Sequence, residues 1–406
     1  MEQFASSATW QFIAAHRDDK DVSRLSFMTG RGIDIPFALT QIEGYRIAAH
    51  KLPLWHSNDG IVYPPHISME QCSGQAAAGY KARLAKKITG DGRKLLADLT
   101  GGLGVDFSFM APLFEKAVYV ERQQLLCSCA AHNMAVLGID NAVVENDDAV
   151  EYLHRLQHAD LIFLDPARRD KNGRKVVTIS DCTPDVLAME DELLSKADAV
   201  MIKLSPMLDV HAAVAALGTE HVCEVHVVAE GGECKELLFV LRKRREKPVT
   251  VSCADGDRVF SYSFDDSALQ AVFGGSAEEL AGMYLYVPNA AVMKAGGFAQ
   301  LTSRYHVTAL SANSHLFVSG KRSGGFPGRE FVIDGVSTLN KKECRRILAG
   351  TDRANVSVRN FPMSADALRR RLRLADGGSN YIFGTTMSAD GRQQHVLLLC
   401  HKPLDA

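Results

Sequence analysis

Four apolar runs in the first two-thirds of the chain end in residues that could hold a ligand. LLAD (95–98) closes on Asp98 and passes straight into Thr100, Gly101, Gly102 and Gly104. Glycine suits a turn where a ligand must reach backbone N–H groups without a Cβ in the way. Twenty residues past Gly101 the run VYV ends in Glu121 and Arg122, placing a carboxylate where it can accept both hydroxyls of a ribose. A third run leads into Asn146, Asp147 and Asp148, one of which could take an adenine amine while Asp147 or Asp148 caps the helix that follows. The fourth, LIFL, ends in Asp165-Pro166-Ala167-Arg168-Arg169.

This set points to a nucleoside cofactor and narrows its kind. Phe107 stands where a dinucleotide fingerprint needs its third glycine, and three acids around one turn disfavour phosphates. A zwitterionic sulfonium nucleoside fits better, with Asp98 beside its cationic amino group. At the fourth run, the Asp165 side chain and a backbone carbonyl left unpaired because Pro166 has no N–H can hold an exocyclic amine next to a methyl donor. Methyl transfer is an in-line displacement that depends on positioning, so Asp165 and Pro166 are the candidate catalytic residues. Arg168 or Arg169 would grip a phosphate or a base. Ser205-Pro206 occupies the place of a cysteine nucleophile, which favours direct transfer to nitrogen. Lys203 points into the cleft or sits on its edge; the sequence leaves both open. No residue group with metal-ligand spacing stands out: His154 and His158 read as a solvated helix face.

Elements to position these residues are legible. Strands are expected at 95–99, 117–120, 142–145, 160–164, 198–203, 222–229 and 236–242, the first five separated by helices and the last two joined as a hairpin. That alternation implies a doubly wound, mainly parallel α/β sheet of seven strands. A helix over 68–85 would bring Gln71, Ser73, Tyr80 or Lys81 near the cofactor. Residues 1–62 read as helical, with segments at 7–16, 23–28 and 34–55, the last ended by Pro53. Beyond the junction RKRREK, 246–325 mixes short strands (283–287, 315–320) with glycine-rich chain, and 326–406 reads β-α-β-α-β-β. The division expected is therefore 1–62, 63–245, 246–325 and 326–406.

The net charge of −2 hides an asymmetry: from Arg242 onward there are 23 Lys+Arg against 15 Asp+Glu, while the rest of the chain carries an excess of ten acids. Lys341, Lys342, Arg345 and Arg346, and again Arg369, Arg370 and Arg373, fall at helical spacing and could form a phosphate track. Few aromatics accompany them, so backbone contact is expected over base readout. The first residues lack a basic-then-apolar pattern, no run reaches the length of a membrane span, and the nine cysteines form no CxxC pair. A cytoplasmic protein with reduced thiols is expected.

The order Asp-x-x-Gly-Gly-x-Gly, Glu121, Asp147/Asp148, Asp165-Pro166 resembles motifs I to IV of class I S-adenosylmethionine-dependent methyltransferases, over about 63–245. DLTGGLGVD is similar to the first motif of bacterial ribosomal-RNA guanine-N2 methyltransferases. FALTQIEGYRIAAHKLPLW, YPPHISMEQCS and FPGREFVIDG resemble a bacterial methyltransferase family with a small ferredoxin-like insert and a C-terminal THUMP-like domain. The resemblance implies S-adenosyl-L-methionine as cofactor and RNA, transfer or ribosomal, as partner of 326–406. The cofactor-binding set is then Asp98, Thr100, Gly101, Gly102, Gly104, Glu121, Arg122, Asp147, Asp148 and Asp165; the catalytic set is Asp165, Pro166 and Arg168. Two departures stand out: the fourth motif lacks the aromatic of Asn/Asp-Pro-Pro-aromatic, and Ser73-Gly74-Gln75 replaces the family's Ser-Ser-Glu. A small-molecule or protein methyltransferase and a non-catalytic RNA-binding protein are the alternatives.

Overall fold

The structure is a computed structural model that describes residues 4–19, 21–28, 30–64, 66–167, 179–265, 268–389 and 392–404. The chain divides into two compact units, Met1–His226 with Lys235–Val249, and Val227–Cys234 with Thr250–Ala406.

The first unit is built on β1 (Leu95–Asp98), β2 (Lys116–Val120), β3 (Ala142–Glu145), β4 (Ala159–Leu164), β5 (Ala197–Leu204), β6 (Val222–Glu230) and β7 (Glu233–Leu241), in the order β3-β2-β1-β4-β5-β7-β6. The first five pair in parallel and β7 runs antiparallel to β5. All seven expected strands are present to within a few residues. Their near-continuous apolar runs follow from burial on both faces: Leu161 to Leu164 and Ala199 to Ile202 are almost fully buried. Strand order reverses between β1 and β4, so the chain leaves these neighbours in opposite directions and opens a crevice at their C-terminal ends. Asp98, paired in register with Tyr119 of β2 and Phe163 of β4, lies at that switch point.

Helix starts are set by short acidic caps: Asp34 accepts Phe37 N–H, Asp185 accepts Leu187 and Ala188 N–H, and Asp209 accepts Ala212 N–H. The N-terminal helices form part of this unit. Trp55 is fully buried among Leu52, Tyr63, Leu103 and Val105, so Ile35–Lys51 and Pro53–His56 back the glycine turn. Two reciprocal amide pairs fasten the segment that follows them. Gln41 exchanges hydrogen bonds with the Tyr63 backbone at 2.8 Å each way, and Asn133 does the same with Val62 at 2.8 and 2.9 Å.

Two expected helices are broken. The 34–55 stretch splits at Leu52, whose backbone leaves the helical region, and Pro53 opens a new short turn. The 68–85 helix is two, His66–Gln71 and Gln75–Thr89, because Gly74 is extended and caps the second. That break turns Ser73 inward.

The second unit contains β8 (Thr250–Asp255) and β9 (Arg258–Ser263), an antiparallel hairpin absent from the sequence reading. They follow β6, whose end lies in this unit, in strand order, two strands more than the seven expected. Its own sheet holds β10 (Tyr284–Pro288), β11 (Thr308–Ala309), β12 (Phe317–Ser319), β13 (Gly328–Ser337), β14 (Asn355–Arg359), β15 (Asn380–Ala389) and β16 (Arg392–His401), ordered β11-β12-β10-β13-β16-β15-β14. Helices Ala290–Ala295 and Phe298–Tyr305 were also missed, since Gly296 at φ +76° interrupts any single periodicity. The β-α-β-α-β-β reading of the last segment matches, with helices Lys341–Ile347 and Ala365–Leu372. Both pack on one sheet face through Cys344, Leu368 and Leu397, while Phe331, Ile333, Phe383 and Leu398 fill the core on the other. No described helix is long and apolar enough to cross a membrane.

Candidate active site

The glycine turn is shaped from below as well as from above. A Cβ on Gly101 would fall 2.1 Å from the buried Tyr119 ring, so glycine is required there by packing. The Tyr119 hydroxyl donates to the Gly102 carbonyl. Gly104 takes a left-handed conformation at φ +82° to start helix Val105–Met110. Gly102 differs: at φ +54° its missing Cβ would meet nothing nearer than the Thr100 carbonyl at 3.8 Å. Room for a ligand against the backbone is therefore at Gly102.

The acids at the first three strand tips are held in distinct ways. Asp98 is 1% exposed and accepts Thr100 N–H at 3.0 Å. Burial pushes its carboxyl well above the usual range; the Thr100 hydrogen bond opposes this, and Asp106, Asp165 and Glu121 reinforce it. Glu121 brackets the turn, accepting Gly102 N–H at 3.1 Å and Gln123 N–H at 2.9 Å. Asp147 accepts Asp148 N–H at 2.9 Å and pairs with Arg155. Asp148 is the cap, accepting Val150 N–H at 2.9 Å at the start of Ala149–Arg155. Asn146 donates to the Glu121 carbonyl at 2.8 Å, and Arg122 is exposed.

Asp165 is fixed at two points. Its N–H donates to Thr100 Oγ1 at 2.6 Å, tying the end of β4 to the turn after β1. Its Oδ2 accepts from Lys203 Nζ at 2.5 Å. Pro166 is buried, and Ala167 exchanges backbone hydrogen bonds with Thr183 at 2.7 and 3.0 Å. Arg168 and Arg169 lie outside the described residues.

Lys203, left open by the sequence, is thus in the cleft. Behind it runs a chain of buried charge. Lys203 Nζ lies 3.7 Å from Asp106; Asp106 lies 3.2 Å from Lys81; and Lys81 reaches Glu236 at 2.5 Å. Ser73 donates to Asp106 at 2.9 Å and accepts from Lys81 at 3.1 Å. The Lys81 side chain is fully buried. Burial works against the Lys203 ammonium, but Asp165, Asp106 and Glu236 outweigh it and hold its pKa above the ordinary lysine value. Burial likewise opposes the Asp106 carboxylate, yet Lys81, Lys203 and the Ser73 hydroxyl hold it below the ordinary value.

The sequence reading missed Asp106 and Glu236. Each carried a signal: Asp106 is the one charged residue in the mainly apolar VDFSFM helix, and Glu236 shares β7 with the buried run from Leu237 to Leu241. His154 and His158 face Glu192 and Asp198 instead of each other. At the end of β5, Ser205 is buried and accepts Met207 N–H at 3.2 Å.

Residues 328–402 match a THUMP domain-like family and 284–327 a ferredoxin-like domain. The crystal structure of a protein from Porphyromonas gingivalis W83, described as a methyltransferase, superposes with a TM-score of 0.84 at 31% identity over 97% of each chain. The chain belongs to that methyltransferase family. Two uncharacterized S-adenosylmethionine-dependent methyltransferases of Mycobacterium tuberculosis, from strains CDC 1551 and H37Rv, are 26% identical over 88% of this chain and 94% of theirs. The protein is a class I methyltransferase that uses S-adenosyl-L-methionine, and its parallel sheet with an α+β C-terminal region is the architecture expected.

The methyltransferase's own residues fit that cofactor. Carboxylates at the tips of β1 and β2 and just beyond β3 suit a ligand that offers an ammonium, ribose hydroxyls and an adenine amine and carries no phosphate, and Gly102 leaves room for it against the backbone.

Proposed function

We propose that this methyltransferase transfers its methyl group to a nitrogen of a base in structured RNA, transfer or ribosomal, with guanine N2 as the first atom to test. The observation that carries the reading is the THUMP-like segment 328–402, whose two helices present Lys341, Lys342, Arg345, Arg346 and Arg370 to solvent, with Arg373 exposed just past the end of the second. Arg369, by contrast, is taken up by Asp366 and Asp376 at 2.7 and 2.9 Å. An exposed cationic surface of this kind binds phosphates without reading sequence, leaving base selection to the catalytic cleft. The similarity of DLTGGLGVD to guanine-N2 enzymes supports the choice of atom. None of the nine cysteines is in a disulfide, which favours a reducing compartment and is consistent with work in the cytoplasm.

In this reading Glu121 accepts the ribose hydroxyls, Asp98 faces the amino group, and Asp147 serves the adenine amine. Asp148 holds the local backbone as a helix cap, while Arg122 closes the outer edge. Thr100 and the glycines Gly101, Gly102 and Gly104 shape the turn. The cofactor supplies an activated methyl group on sulfur. Asp165 accepts a hydrogen bond from the target amine and, with Pro166, fixes where that nitrogen sits; Arg168 is assigned to the phosphate or base.

The test compares modified nucleosides in total RNA from cells with and without this gene. One methylated nucleoside missing from the deleted strain is expected, N2-methylguanosine first. An unchanged profile would move the substrate to small molecules or protein.

A further inference from the structure

Asp165 emerges from β4 with only one of its oxygens committed. Oδ2 is held by Lys203, while Oδ1 has no hydrogen-bond partner among the described residues and the side chain is 39% exposed. Lys203 is itself 12% exposed and lies between Asp165 and Asp106. A lone lysine would have no reason to keep one rotamer, since its four-carbon stem is flexible and costs entropy to fix. Here both its neighbours are fixed. Asp106 is anchored by Lys81 and Ser73, and Lys81 by Glu236 on β7. The Asp165 backbone is pinned by Thr100. Two lysines alternate with three carboxylates, so each cation lies between opposite charges, as buried ions require.

We propose that Lys203 is a positioning residue for methyl transfer: it acts through Asp165, holding one carboxylate oxygen so that the other is aimed at the N–H of the acceptor amine, with Asp106, Lys81 and Glu236 as its fixed counter-ions. The inference rests on the reading that Asp165 faces the acceptor nitrogen, and is indifferent to whether that nitrogen belongs to RNA.

The amine nitrogen bonds to the methyl carbon as the carbon–sulfur bond breaks, its electron pair staying on sulfur. Nitrogen then sheds one proton, which Asp165 Oδ1 accepts and passes to water. Lys203 keeps its own proton throughout, and its ammonium holds the Asp165 carboxylate in one orientation as acceptor. The ionisable groups that face this pair besides Asp106 are Asp98 at the tip of β1, Glu236 on β7 and the Cys72 thiol.

The decisive experiment is a double-mutant cycle on the full chain: wild type, Lys203→Met, Asp165→Asn and the double variant. Each is checked for folding by thermal unfolding and for affinity toward S-adenosyl-L-homocysteine by calorimetry. Each is then given labelled methyl donor and a whole extract from cells lacking the gene, and label is read in RNA, protein and small-molecule fractions. Replacing Lys203 by Met should change homocysteine-nucleoside affinity by no more than about threefold in either background. Lys203→Met should lose about tenfold to a hundredfold in kcat, with KM for the acceptor little changed. In the Asp165→Asn background, removing Lys203 should cost nothing more. That double variant also keeps the charge chain balanced, so it remains testable should Lys203→Met alone unfold; it should then match Asp165→Asn.

Losses that multiply, a Lys203→Met rate within threefold of wild type, or a collapse of nucleoside affinity in Lys203→Met overturns the proposal. Label outside RNA sinks the RNA reading while leaving the cycle readable on the labelled fraction. Label in RNA with multiplying losses does the reverse. Label in no fraction from folded wild type counts against both.

Discussion

Gly101 and Tyr119 are packed so closely that a methyl group on the first would lie 2.1 Å from the ring of the second. The residue after β1 is therefore dictated by a side chain on β2. Gly101→Ala should destabilise the first unit by about 1–3 kcal/mol, the usual cost of overpacking. Nucleoside affinity should fall with it as the turn is displaced. Tyr119→Val in the same chain should recover part of the loss. Thermal unfolding and calorimetry of the two variants decide this.

Thr100 joins the two halves of the cleft through its 2.6 Å bond from Asp165 N–H. Thr100→Val keeps shape and removes the acceptor. A cost of about 1 kcal/mol in stability is expected, together with a drop of about tenfold in kcat as Asp165 loses its anchor. Thr100→Ser should retain both. An unaltered rate in Thr100→Val would mean that the β4 end is held by other contacts.

Asp98 is a buried carboxyl whose pKa burial raises well above the ordinary value. In the free protein it keeps its proton to a higher pH than an ordinary aspartate, and a cationic ligand favours its ionised form. Nucleoside affinity should therefore rise with pH through the Asp98 titration, with protons released on binding. Calorimetry in buffers of different ionisation enthalpy counts those protons. Proton uptake, or affinity that falls with rising pH, contradicts the assignment. Asp98→Asn should bind weakly and without the proton term.

Lys81 is fully buried between Asp106 and Glu236. Lys81→Met leaves two carboxylates without their shared cation, which should cost about 3–5 kcal/mol. Replacing Glu236 by Leu alongside should return a portion of it. Urea unfolding of the two variants measures both numbers.

Glu224 gives a separate pH test. Burial would raise its pKa, but hydrogen bonds from His226 at 2.9 Å and Lys87 at 2.7 Å pull it down to about 2. A depressed carboxylate stabilises the fold above its unfolded pKa, near the ordinary 4.5, and that contribution is lost as pH falls toward about 2. Glu224→Gln should therefore be less stable than wild type at pH 7, by about 1 kcal/mol given the solvent screening of its exposed Lys87 partner, and the gap should narrow steadily below pH 4.5. Urea midpoints from pH 7 to 3 give the curve; a gap that stays constant refutes it.

What the sequence determined by itself was the alternation of elements and the residues at the strand tips. Apolar runs of four to nine residues between helical patterns have one packing solution, a sheet covered on both faces, so the seven strands and the positions of Asp98, Glu121, Asp147 and Asp165 were legible in one dimension. The broken helices were less so, because Leu52 and Gly74 act through backbone angles that composition does not encode. Only the tertiary structure decided that Lys203 enters the cleft, that Ser73 turns inward, and that Asp106, Lys81 and Glu236 meet. Those residues are spread over more than 160 positions of the chain, and a buried charge discloses its partner only when folding has excluded the water that would otherwise solvate it.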